Sequence, residues 1–68
     1  SDVAEFTAGS AVTVYVGLDT RVSNLPSWLS GWTANDYILQ ASNDVTYKIY
    51  QKNFNQGDKV TLGTNGPP

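Results

Sequence analysis

The alternation of apolar side chains over residues 11–18 constrains this chain more than any other feature of its sequence. Val12, Val14 and Val16 occupy every second position. Because successive side chains of a strand point to opposite faces, this spacing predicts a β-strand with one apolar face. The alternation stops at Asp19, where a polar loop with both tryptophans of the chain begins. We predict that this strand is central in its sheet and buried through its three valines.

A single helical turn is predicted inside the tryptophan loop. Pro26 disfavours helical geometry in the residue before it but suits the first position of a helix, so a turn can follow over residues 27–29. Gly31 is expected to end that turn. Within such a turn, Trp28 and Trp32 would lie on the same side.

Four further segments are rich in residues that favour strands, and turns containing Gly, Asn or Asp separate them. These segments are residues 3–7, 37–41, 45–52 and 59–62. Short strands with such turns imply antiparallel pairing and a second sheet that covers one apolar face of the first. We therefore predict an all-β fold, a small antiparallel β-sandwich of about five short strands with a Trp-bearing loop. The break at residues 8–10 is either a turn or a bulge.

The length of the chain limits it to one domain with a thin core. At 68 residues, folding removes only about 60% of the unfolded chain's surface from water. The chain contains no Cys and no His, which excludes a disulfide framework, a zinc site and catalysis based on either residue. We assign residues 1–63 to the β-sandwich module. Residues 64–68 lack apolar periodicity and end in Pro-Pro, so they are interpreted as a linker or a disordered tail.

The charge of the chain excludes some classes of partner. Its net charge of −2 opposes non-specific binding to nucleic acid, which depends on Lys and Arg neutralising phosphates. No segment approaches the roughly 20 apolar residues that cross a bilayer, and no signal peptide is recognisable, so a mature, soluble product is expected. Lys48, Lys52 and Lys59 lie close together in the sequence, which allows a local positive face.

The predicted strand over residues 45–52 has two faces of different character. The set that we predict to face the core is Val45, Tyr47 and Ile49. On the opposite face Tyr50 lies between Lys48 and Lys52, an arrangement that could stack on a sugar ring and donate charged hydrogen bonds to carboxylates. The alternative is a solvated outer face with one exposed tyrosine, which is normal for protein surfaces.

The tryptophan loop allows two interpretations. Exposed Trp28 and Trp32 could form a platform for carbohydrate, with Asp19 and Arg21 orienting sugar hydroxyls. Alternatively, at least one of the tryptophans fills the thin core, since each indole can bury roughly 150–250 Å². Of the two, Trp32 is the better candidate for exposure.

Five motifs, taken in order, carry a resemblance to a known family. They are residues 14–18 (VYVGL), 25–29 (LPSWL), 31–33 (GWT), 47–54 (YKIYQKNF) and 60–63 (VTLG). Together they resemble a small β-module found beside catalytic domains in secreted bacterial polysaccharide-degrading enzymes, pectate lyases among them. That module begins earlier than this chain does. The resemblance therefore implies that the chain is a fragment, a processed product or a subunit that another chain completes.

Two functions follow as expectations. The first, implied by the resemblance, is a non-catalytic ancillary module that is secreted, acts outside the cell and binds polysaccharide, including acidic polymers, or packs against its parent catalytic domain. The second is a structural or assembly subunit whose incomplete sandwich pairs strands with another chain or copy. No catalytic residue, cofactor or metal is expected, because no constellation of reactive side chains is recognisable.

Overall fold

A computed structural model describes residues 4–63 of the chain and shows an antiparallel β-sandwich. Its strands are β1 (Ala4–Thr7), β2 (Val12–Asp19), β3 (Thr33–Gln40), β4 (Thr46–Phe54) and β5 (Lys59–Leu62), with a 3₁₀ helix at Ser27–Leu29 between β2 and β3. The all-β prediction and the helical turn in the tryptophan loop are both confirmed. Within the described residues, no helix is long and apolar enough to cross a membrane.

The strands form two sheets in which every pair is antiparallel. One sheet has the order β2-β4-β3, and the other pairs β1 with β5. The prediction that residues 11–18 form a central strand is therefore wrong, because β4 is central and β2 lies at the edge. The predicted burial of the valines is only partial, since Val12 is 37% exposed and Val14 and Val16 are half-buried. A sheet of two four-residue strands is too small to cover the whole inner face of the larger sheet.

The two faces of β4 are the reverse of those predicted. Directly paired residues share a face, and Val12 pairs with Phe54 while Val14 pairs with Lys52. Phe54 is buried with Ala8 and Val60, so this face is the inner one. The predicted core set does not lie there: Tyr47 and Ile49 are half-buried on the outer face, and Val45 precedes the strand. The prediction failed because β4 continues to Phe54, whose bulk decides which face is buried.

The core connects the two sheets at one end of the sandwich. Ala8, Phe54 and Val60 form its buried cluster. The partly buried side chains that pack against this cluster are Val14, Trp32 and Leu62. Of the two alternatives predicted for residues 8–10, a turn or a bulge, the structure has the turn, because there the chain leaves the sheet of β1 and enters the sheet of β2.

A tight turn joins β4 to β5 and supports this core. Gly57 has φ +90°, a conformation that strains residues with a side chain. The Asn55 N–H donates to Asp58 Oδ2 at 2.8 Å, and the Asp58 N–H donates to the Asn55 carbonyl at 3.0 Å. Ala8 is attached to the same turn, since its N–H donates to the Asp58 carbonyl and its carbonyl accepts from the Gly57 N–H, both at 2.8 Å.

Strand β3 begins at Thr33, four residues before the predicted start. Its register jumps between Ala34, which pairs with Tyr50, and Ile38, which pairs with Lys48, so residues 35–37 form a bulge. Within the bulge, the N–H of Tyr37 donates to Asn35 Oδ1 at 2.9 Å. The sequence did not indicate this part of the strand because Asn35 and Asp36 belong to residue types that are rare in regular strands but common in irregular backbone.

The unpaired edges expected of so small a sandwich also predict that the N-terminal strand, around residues 3–7, pairs with a segment outside these 68 residues or with another copy, and this stays a prediction. β1 pairs with β5 in the register Ala4↔Leu62 to Thr7↔Lys59, and no other described strand lies beside it. Val3 and the predicted tail at residues 64–68 lie outside the described residues.

Candidate functional site

The 3₁₀ helix positions both tryptophans. Pro26 precedes it with φ −58° and accepts a hydrogen bond from the Leu29 N–H at 3.0 Å. The Leu29 carbonyl in turn accepts from the Trp32 N–H at 3.0 Å, which continues the turn into β3. The Leu29 side chain is fully buried, so the helix is anchored to the interior of the domain.

The tryptophans form a chain of aromatic contacts that leads to the core. The ring of Trp32 lies edge-on to the rings of Trp28 and Phe54, with centroids 5.9 Å apart in both pairs. Trp32 also packs against the buried cluster of the core. Gly63 lies so close to Trp28 that a Cβ added to it would approach Trp28 Cδ1 to 2.5 Å. Both tryptophans are half-buried, and their packing corresponds to the core-filling interpretation more than to a flat exposed platform.

Asp19 and Arg21 bind each other. Arg21 Nη2 lies 2.6 Å from Asp19 Oδ2, Arg21 Nε donates to the same carboxylate, and the Arg21 backbone N–H donates to Asp19 Oδ1 at 2.9 Å. The hydrogen bond from the Arg21 side chain is the main cause that lowers the pKa of Asp19 below its ordinary value of 3.8. These two residues therefore close the turn after β2, and their role in orienting sugar hydroxyls stays a prediction.

This pair predicts the pH response of Asp19. Because its pKa is lower in the folded state, the pair contributes stability above the unfolded value of 3.8, and that contribution is lost as the pH falls through the folded pKa. We expect Arg21→Gln to raise the pKa of Asp19 in a carboxyl-carbon NMR titration, whereas Lys59→Gln should leave the titration unchanged. An unaltered Asp19 titration in Arg21→Gln would show that the ion pair does not form in solution.

The predicted face of Lys48, Tyr50 and Lys52 is not an exposed aromatic site. Tyr50 is half-buried between its sheet neighbours Val16 and Ala34, whereas both lysines are exposed. The structure thus does not place an exposed ring between two ammonium groups.

Lys52 lines an open groove of about 200 Å³ where β3 begins beside the end of β4. The groove residues are Gly31, Thr33, Gln51, Lys52 and Asn53. Lys52 Nζ lies 3.4 Å from the position that a Cβ on Gly31 would occupy, so the missing side chain at Gly31 leaves room for the ammonium group. The same Nζ lies 5.3 Å from the centroid of the Phe54 ring, within reach of a cation–π interaction.

An exposed tyrosine adjoins this groove. Tyr15 pairs with Gln51, which pairs with Thr33 on its other side, so the three residues form a row across the outer face of the sheet. Tyr15 is 61% exposed. The sequence contained the necessary signal, because the alternation in β2 that predicts an inner face of valines also places Tyr15 on the opposite face.

Hydrogen bonds within the sheet orient the amides of the groove. Gln51 Oε1 accepts from Asn35 Nδ2 at 3.0 Å, and Asn53 Oδ1 accepts from Thr13 Oγ1 at 2.7 Å. With both carbonyl oxygens bonded, the amide N–H groups of Gln51 and Asn53 are the groups that can donate to a ligand. Among residues 4–63, the ion pairs join Arg21 to Asp19 and Lys59 to Glu5, and Lys52 is in neither. The groove therefore suits a ligand rich in hydrogen-bond acceptors.

In the part of the chain that the structure describes, no group of three or more His, Cys, Asp or Glu side chains is placed to bind a metal ion. Comparisons with protein-family models, with curated proteins and with solved structures find no match to this chain. The function is therefore inferred from the groove itself and from the motifs of the sequence.

Proposed function

We propose that this chain is a non-catalytic polysaccharide-binding module of a secreted bacterial carbohydrate-active enzyme, and that it binds its ligand at the groove beside Tyr15. The observation that carries the proposal is the combination of an exposed aromatic ring with an adjoining groove that presents N–H donors from Gln51, Lys52 and Asn53. Tyr15 and the two amides contribute to this site from the outer face of the larger sheet, and Lys52 reaches it from the inner face beside Gly31.

The chemistry of this face suits a sugar chain. Pyranose rings have apolar C–H patches that can stack on a flat aromatic face such as that of Tyr15. Their hydroxyl and ring oxygens can accept hydrogen bonds from the amides of Gln51 and Asn53. The sheet holds both amides through side-chain hydrogen bonds, so less conformational freedom is lost when a ligand binds.

Lys52 adds a preference for acidic polysaccharides. Lys52 lines the groove. Among residues 4–63, no carboxylate lies within 4.0 Å of its ammonium group. A charged hydrogen bond to a sugar carboxylate is stronger than one between neutral groups. Binding of an acidic polymer should consequently weaken as salt is added, because salt screens the attraction between the exposed ammonium group and the carboxylates of the polymer, most completely beyond about 8–10 Å.

We expect Tyr15→Ala to reduce retention on an affinity gel containing an acidic polysaccharide by roughly tenfold, since stacking area is lost. Lys52→Gln should weaken retention and also remove much of its salt dependence. Matched controls are Tyr37→Ala, which removes a tyrosine that is 76% exposed on β3, and Lys59→Gln, which removes an exposed lysine from β5. Neither control should change retention on the gel.

Two outcomes would count against the proposal. One is a wild-type chain that is folded, as judged by circular dichroism, and is retained on neither acidic nor neutral polysaccharide gels. The other is retention that Tyr15→Ala and Lys52→Gln leave unchanged, which would place the binding site elsewhere on the domain.

A further inference from the structure

The outer edge of β3 exposes a run of large apolar side chains. Tyr37, Ile38 and Leu39 are 76%, 69% and 57% exposed, although they are consecutive in one strand. β3 is an edge strand of the larger sheet, with β4 on one side. An open, apolar strand edge is a template for pairing with another strand. None of these three residues lines the groove proposed to bind polysaccharide.

Hydrogen bonds at the β3–β4 hairpin show which backbone groups point outward. The Ala41 N–H donates to the Val45 carbonyl at 3.0 Å. Because hydrogen-bonded and non-hydrogen-bonded pairs alternate along an antiparallel ladder, Leu39 bonds to β4, whereas Ile38 and Gln40 direct their N–H and C=O groups to the open edge. The Thr20 N–H donates to the Thr46 carbonyl at 2.9 Å, which agrees with this alternation because Thr46 then bonds toward β2.

We propose that β3 pairs in antiparallel fashion with β3 of a second copy of this chain, about a two-fold axis at Leu39. In this register Ile38 of each copy forms a hydrogen-bonded pair with Gln40 of the other, so all the outward backbone groups of residues 38 and 40 are satisfied. Leu39 meets Leu39 across the axis, in a non-hydrogen-bonded pair whose side chains approach closely. The pairing joins the two three-stranded sheets into one continuous sheet.

The distribution of charge in β3 favours a second copy of this chain as the partner that pairs with its open edge. Asp36 is the only charged residue in the strand. In the antiparallel register about Leu39, the two Asp36 residues lie six positions apart along the ladder, or about 20 Å, well beyond the screening length. Parallel pairing in register would place the two carboxylates side by side. The apolar residues at the centre of the edge complement themselves, as a two-fold interface requires.

The bulge limits the length of the new ladder. The N–H of Tyr37 is bonded to Asn35 Oδ1, so regular pairing cannot continue past Ile38 in that direction. Three apolar side chains from each copy bury less than the roughly 800 Å² per partner of a standard interface. The dimer should therefore be weak and depend on protein concentration.

Sedimentation equilibrium over a range of concentrations tests this interface. We expect the wild-type chain to show a reversible equilibrium between monomer and dimer. Leu39→Lys should raise the dissociation constant at least about tenfold, because two ammonium groups would meet directly across the axis. Mixing Leu39→Lys with Leu39→Glu should restore association, since residue 39 meets itself only in this register. Thr61→Lys is the matched control: it adds the same charge at an exposed position of β5 and should dimerise like the wild type.

Two further variants test the backbone pairing and the register. Gln40→Pro removes an outward N–H while leaving the hydrogen bonds between β3 and β4 in place, so it should weaken the dimer without unfolding the domain. Because the chain has no Cys, Leu39→Cys should form a single oxidised dimer, and Ile38→Cys should form it less efficiently. A chain that stays monomeric at millimolar concentration would overturn the proposal. A dimer that Leu39→Lys and Gln40→Pro leave unaffected would also overturn it, because its interface would lie elsewhere or include a different strand.

Discussion

Replacing Val60 with aspartate is expected to abolish cooperative folding of this chain. Val60 is fully buried, and the cluster around it consists of apolar side chains. Burying a carboxylate without a partner costs several kcal/mol, or else forces that carboxylate to be protonated. A domain of this size has about 5 kcal/mol of stability in total, so the cost is comparable with all of it. Thermal melting followed by far-ultraviolet circular dichroism should show no cooperative transition in Val60→Asp.

The neighbouring residue provides the control for this prediction. Thr61 lies next in β5, but its side chain is exposed on the opposite face. Thr61→Asp introduces the same carboxylate one position away and should change the free energy of unfolding by no more than about 0.5 kcal/mol. A Val60→Asp variant that melts like the wild type would show that the two sheets do not pack together as described.

The second large effect is expected for Trp32→Ala. Truncation of a buried aromatic side chain typically costs about 3–5 kcal/mol, and Trp32 is half-buried, so we expect a loss of about 2–4 kcal/mol in the free energy of unfolding. The loss combines the edge-on contacts to Trp28 and Phe54 with the packing against the core. Urea denaturation followed by the fluorescence of the remaining tryptophan measures this difference directly.

Tyr15→Ala is the matched aromatic truncation. Tyr15 is mostly exposed on the outer face, so its loss should change stability by less than about 1 kcal/mol while it weakens binding to polysaccharide. The two variants thus separate packing from ligand binding. If Trp32→Ala kept wild-type stability and lost polysaccharide binding, the tryptophan loop would be the binding platform and the groove would not.

Several features of the fold could be predicted from the sequence because they depend on local patterns. The alternation in β2 located that strand within one residue at each end, and Pro26 located the 3₁₀ helix at Ser27–Leu29. The alternation and the proline both act on the backbone geometry of residues close to them in the sequence. Pairing partners carry no such local signal, which is why β2 was predicted to be central although β4 occupies that place.

The choice of face in β4 shows a different limit. Alternation divides a strand into two sets of side chains, but here both sets contain a tyrosine, and the decisive residue, Phe54, lies beyond the predicted end of the strand. A related limit applies to the aromatic residues of the candidate site. The loop position of Trp28 and Trp32 indicates exposure, whereas a core of this size needs their bulk. Tyr15 lies on a regular strand, where alternation alone does not show that its ring is exposed.

The proposed binding site is tested most directly by an NMR titration of the ¹⁵N-labelled chain with an oligosaccharide of uronic acid residues, and with a neutral glucan oligosaccharide of the same length. We expect the acidic ligand to shift the backbone amide signals of Tyr15, Thr33 and Gln51 and the side-chain amides of Gln51 and Asn53 in a saturable manner. The indole N–H signals of Trp28 and Trp32 should remain nearly unchanged, which provides an internal control. Saturable shifts at the two indoles without shifts at the groove, or no saturable shift with either ligand, would contradict the assignment of the groove as a polysaccharide-binding site.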